Sequence, residues 1–90
     1  MTHWAAAMLL ASSLAQAGPV AEIVDGDLRV ELHADAGPCQ HGALWAVLYK
    51  GLYQVSGCWR LSGSEVFIAW LDGTAGTASA SAFSKPKPKL

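Results

Sequence analysis

Cys39 and Cys58 are the only cysteines in a chain of 90 residues. In an oxidising compartment a chain this short pairs its thiols, and two cysteines allow one intramolecular connectivity. The bridge would close a loop of about 20 residues, worth about 3 kcal/mol in the chain-entropy account. A domain of this size buries only about 60% of the surface its unfolded chain exposes, so its core alone gives marginal stability. The stretch from Gly37-Pro38-Cys39 to Gly57-Cys58-Trp59 is therefore the expected clasp of the fold.

The compartment is read from the N-terminus. Trp4 to Leu10 is an unbroken apolar run, and Ala15-Gln16-Ala17 is a small-x-small cleavage site just before Gly18-Pro19. Residues 1–17 are expected to be a helical signal peptide, although they carry neither Lys nor Arg. The run shows no polar face, which disfavours an amphipathic helix packed on the domain. It is shorter than the about 20 apolar residues a spanning helix needs. Gly18 stands where a lipoprotein would need cysteine. The expectation is a periplasmic or secreted protein that does not span the membrane after cleavage, with a domain at 18–83 and a Lys/Pro tail at 84–90. Six basic residues stand against seven acidic ones, so no overall field draws nucleic acid.

Turn chemistry divides the remaining chain. Val20 to Val24 is stopped by Asp25-Gly26-Asp27, a hairpin signal. Leu28, Val30 and Leu32 then alternate with Arg29, Glu31 and His33, which predicts a half-buried strand with the second set on its wet face. Ala43 to Tyr49 reads as helix by propensity and as strand by the short Lys50-Gly51 link that follows. From Leu52 to Leu61, strand parity sets Tyr53, Val55, Gly57 and Trp59 opposite Gln54, Ser56, Cys58 and Arg60, so Cys58 and Trp59 point opposite ways. Val66 to Leu71 is apolar at every position, which predicts a strand covered on both faces by a rolled sheet, a small barrel or an interface. After Asp72-Gly73, Thr74 to Ala82 carries small residues and at most a weak strand around Thr77 to Ser81. Phe83 is the expected anchor of the end. The resulting fold class is mostly β: about five antiparallel strands rolled into a sandwich or open barrel, with one disulfide.

The familiar chemistries are thinly represented. A metal site built from His33, Cys39, His41 and Cys58 lacks the paired C-x-x-C arms of structural zinc sites. There is no C-x-x-C redox pair and no G-x-S-x-G elbow. Asp25, Asp27, Asp35 and Asp72 sit where turns want them. No catalytic residue, metal or cofactor is assigned, and the expectation is not an enzyme. The aromatic residues Trp45, Tyr49, Tyr53, Trp59, Phe67 and Trp70 are many for one small core, so part of them is expected at a binding face. The candidate binding residues are Gln40, His41, Trp45, Tyr49, Tyr53 and Trp59.

The spacing of x-Pro-Cys (Gly37-Pro38-Cys39), Gly-Cys-Trp (Gly57-Cys58-Trp59) and Trp-x-Asp-Gly (Trp70 to Gly73), closed by Phe83, resembles a group of small exported proteins of proteobacterial prophage and phage genomes. The resemblance spans about Leu28 to Phe83. It implies export and a β fold and carries no mechanism. The Ala/Ser-rich segment after Gly73 departs from it. The function expected is a non-catalytic interaction module that binds an envelope protein or wall component. The alternatives are an inhibitor of a lysozyme-like cell-wall hydrolase, inserting the loop between Ala34 and Gly42, and a structural part of a phage-encoded assembly.

Overall fold

A computed structural model describes residues 18–86. The expected signal peptide, and the end of the Lys/Pro tail, lie outside them. The chain forms an up-and-down meander of six antiparallel strands in sequence order: β1 (Ala21–Asp25), β2 (Leu28–Leu32), β3 (Leu44–Lys50), β4 (Tyr53–Ser62), β5 (Glu65–Trp70) and β6 (Ala75–Ser79). The sheet curls into a half-barrel and carries one disulfide.

The hairpins follow from the turn residues. The β1–β2, β3–β4 and β4–β5 links each have two residues, and Gly26, Gly51 and Gly63 lead them with φ of 62°, 59° and 61°. Positive φ at the first loop position is the backbone a tight hairpin needs to match strand twist. A two-residue link suits a β-hairpin, and Leu44–Lys50 is a strand despite its helix-forming Leu44, Ala46 and Leu48.

Register separates the two faces. One row across the sheet runs Leu32, Ala46, Gly57, Trp70, and the next runs Leu44, Trp59, Ile68, Gly76. Val30, Leu32, Ala46, Val66 and Ile68 form the core on this inner face, with Ile23, Leu48, Trp59, Trp70 and Phe83 packed against it. Phe83 thus closes the core as expected. After β6 a 3-10 turn (Ala80–Ala82) carries the chain across to β1, where Ser84 and Glu22 exchange two backbone hydrogen bonds of 2.8 and 2.9 Å.

Three expectations need correction. The strand count is six rather than about five, because the small-residue segment does form β6, a little earlier than Thr77 to Ser81. The fold of the described residues covers one face of β5 only: Val66 and Ile68 are buried while Phe67, 44% exposed, and Ala69 face out. The run is apolar throughout, yet only alternate positions reach the core. His33 is not on a wet face either. It is 8% exposed and stacked on Trp45, with ring centroids 4.5 Å apart.

Candidate functional site

What buries His33 is the β2–β3 connection, residues 33–43, which folds back over the outer face of the half-barrel. Trp45, Val47 and Cys58 lie on that face by register. Val47 is only 1% exposed there, and Cys39 and Ala43 of the connection are buried as well. The Cys39–Cys58 bond, with Cα atoms 5.7 Å apart, fixes the connection to β4. Sequence parity set Cys58 and Trp59 on opposite faces, and the register puts Cys58 on the outer face and Trp59 on the inner one. Trp59 Nε1 nevertheless reaches round the sheet to donate to the His33 carbonyl (3.0 Å), tying the root of the loop to the inner side.

The loop holds itself by further short contacts. Trp45 N donates to the Asp35 carbonyl (2.9 Å), Cys39 N to the Ala36 carbonyl (2.8 Å), and Ala43 N to the Gln40 carbonyl (3.2 Å). A Cβ on Gly37, whose φ is 51°, would fall 2.7 Å from Trp45 Cγ, so only glycine lets the loop lie this close to the indole. At its tip Gln40 and His41 are exposed. His41 has φ of 59°, the one left-handed non-glycine residue among the described residues. Such a backbone is uncommon for a side-chain-bearing residue and costs on the order of 1 kcal/mol.

The six candidate binding residues do not form one patch. Gln40 and His41 share the loop tip. Trp45 lies beneath the loop, donating from Nε1 to Ser56 Oγ (3.2 Å), and Trp59 packs against the core. Tyr49 lines a separate cleft of about 440 Å³ with Val24, Arg29 and Glu31. Burial, then the Glu31 charge, raises its phenol pKa, while Arg29 pulls it down. Tyr53, 52% exposed at the β3–β4 hairpin, donates to Asp72 Oδ2 (3.0 Å). Asp72 Oδ1 also accepts from Thr74 Oγ1 (2.7 Å) and Thr74 N (3.0 Å). The Thr74 hydrogen bonds, with that of Tyr53, hold the Asp72 carboxyl below its ordinary value. The same Tyr53–Asp72 bond raises the phenol. These groups tie two turns of the sheet together.

Beside the loop tip lies a second cleft, of about 340 Å³, lined by Gly42, Leu44, Trp59, Arg60 and Leu61. Its walls are apolar, and Arg60 has no ion-pair partner among the described residues. Neither Arg60 nor the exposed Phe67 was among the sequence candidates. Parity placed Arg60 on the face opposite Trp59, but nothing in the sequence showed that the loop would end next to it.

With Cys39 and Cys58 bonded to one another, the four-residue metal set with His33 and His41 is not formed. No group of three or more His, Cys, Asp or Glu able to hold a metal occurs among the described residues. No helix among them is long and apolar enough to cross a membrane. Comparisons with protein-family models, with curated proteins and with solved structures returned no match.

Proposed function

We propose that this chain is a non-catalytic, exported interaction module that recognises an envelope protein through the tip of the 33–43 loop. The observation that carries the reading is His41. An exposed, left-handed, side-chain-bearing residue at the tip of a disulfide-anchored loop is strain held in place by the surrounding scaffold. A loop ordered in advance binds with less entropic loss than a free one. The Leu44–Trp59–Leu61 cleft beside it offers an apolar seat, and Arg60 offers a cation for a carboxylate on the partner.

The test is differential capture from a periplasmic extract. Native protein is compared with a Gln40→Ala/His41→Ala variant and with reduced, alkylated protein. A single species held by the native chain and released by both changes supports the proposal; equal retention on all three refutes it.

A second reading is inhibition of a cell-wall hydrolase, and the exposed Gln40-His41 tip on a disulfide-held loop favours it because a preorganised loop can be inserted into an enzyme cleft. Lysozyme inhibition that disappears in the same double variant would support it. Undiminished lysis in the presence of excess purified protein would remove it. Membership of a phage-encoded assembly is the third; the uncovered Phe67 on β5 is its only support.

A further inference from the structure

The sheet has two edges, and the chain treats them differently. At β1 the Ser84 backbone occupies Glu22, and Glu22 and Asp25 place charge along the strand. β6 has no neighbour beyond it among the described residues. The phase of its ladder to β5 is set by Trp70 N to Thr74 O (2.8 Å) at one end and Ala80 N to Ser64 O (2.8 Å) at the other. Residues in hydrogen-bonded pairs alternate with residues whose N–H and C=O point away. Gly76 and Ala78 therefore face β5, while Ala75, Thr77 and Ser79 turn their backbone groups outward. Edge strands are normally blunted by charge, proline or a bulge. Ala75-Gly76-Thr77-Ala78-Ser79 has no charge or proline, its register with β5 runs without a bulge, and all but Ala78 are exposed.

We propose that β6 pairs antiparallel with β6 of a second copy of this chain, about a two-fold axis through Thr77. Thr77 then faces Thr77 of the second copy and Ala75 faces Ser79. Each outward residue meets an outward residue, giving roughly six main-chain hydrogen bonds. The same axis sets Gly76 against Ala78, so small side chains meet small ones and no like charges oppose. Such an interface is closed and uses the same patch twice. Strand addition selects foreign partners through pockets for alternate side chains, and β6 offers only Ala, Thr and Ser beside its edge. What it does offer is self-complementary register. The outer-face row Arg60, Phe67, Thr77 continues in the second copy as Thr77, Phe67, Arg60, extending the face that carries the exposed Phe67. The 33–43 loop lies over other strands and stays free, so the pairing stands independently of the recognition proposed for that loop.

The test is sedimentation and amide hydrogen exchange of the full oxidised chain at about 20 µM and about 500 µM. The expected result is a doubling of mass with concentration. The amides of Gly76 and Ala78 stay slow throughout, and those of Ala75, Thr77 and Ser79 slow by about tenfold or more at the higher concentration. Thr77→Pro removes an outward N–H without touching the β5 ladder, and is expected to stay monomeric with an unchanged near-UV spectrum. If that variant loses its fold, Thr77→Lys sets two like charges at the axis and replaces it. A native chain that is monomeric at about 500 µM, or a folded variant that dimerises as the native chain does, overturns the proposal.

Discussion

Replacing Gly57 by alanine probes the tightest point of the inner face. Gly57 stands between Ala46 and Trp70 in the row that crosses the core, and the indole of Trp70 lies over it. A Cβ there would fall 2.5 Å from Trp70 Cε3 and 2.9 Å from the Ala69 carbonyl oxygen. The indole can tilt; the carbonyl belongs to the β5 backbone and moves only with the strand. Overpacking of this kind costs about 1–3 kcal/mol, and the lost freedom of the unfolded chain returns about 0.4–1 kcal/mol. The net expectation is a loss of about 1–2 kcal/mol, or roughly 5–12 °C in Tm for a domain of this size. Urea unfolding of oxidised protein, followed by tryptophan fluorescence, reads it as a lower midpoint with an unchanged slope. Gly76→Ala is the control, since nothing lies within 4 Å of its Cβ. A Gly57→Ala variant as stable as the native chain would show that Trp70 does not rest on β4 and refute the packing described.

Three further outcomes follow from particular contacts. Cys39→Ala/Cys58→Ala is expected to lower stability by about 3 kcal/mol in urea unfolding, the value for a loop of about 20 residues, and a loss under about 1 kcal/mol would contradict the staple's role. His41→Gly relieves about 1 kcal/mol of left-handed backbone but gives back about 0.4–1 kcal/mol through a freer unfolded chain, so stability in urea should hold or rise by up to about 0.6 kcal/mol while partner capture falls; a loss of about 0.5 kcal/mol or more would remove the strain argument. The lowered Asp72 pKa contributes stability that is present above its ordinary value of 3.8 and fades as pH falls through the folded value. Carboxyl-carbon NMR titration should show Asp72 moving back toward that value in Thr74→Val, and by less in Tyr53→Phe, because the Thr74 bonds are the larger cause. The raised Tyr53 phenol acts in the opposite sense: its contribution holds below its ordinary value of 10.0 and is lost as pH rises through the folded value.

Most of the sheet was legible because turn residues and alternation are local signals. Gly26, Gly51 and Gly63 mark the two-residue hairpins, and period-two patterning sets Val30 and Leu32 on a dry face and keeps Val55, Gly57 and Trp59 together on one face. The disulfide followed from cysteine count and chain length. The misread features depend on what lies above a strand rather than on the strand itself. His33 has the parity of a solvated residue, and it is buried only because its own loop folds back under the Cys39–Cys58 bond. Phe67 is apolar yet exposed because no loop among the described residues covers the outer face of β5. β6 carries almost no side-chain signal; its place comes from the four-residue turn at Asp72-Gly73 and the ladder to β5. At the loop tip, Gln40 and His41 were found as neighbours of Cys39. The left-handed conformation of His41 has no residue-type signature, because glycine or asparagine would be expected there.

The recognition proposed for the 33–43 loop requires that the disulfide hold the loop rigid against the outer face. Backbone 15N relaxation of the oxidised and the reduced protein tests it without needing a partner. In the oxidised chain, order parameters for residues 37–42 should match those of β3 and β4, near about 0.85. On reduction they should fall below about 0.6 while the strands hold. A loop equally mobile in both states, or equally rigid in both, would contradict the account.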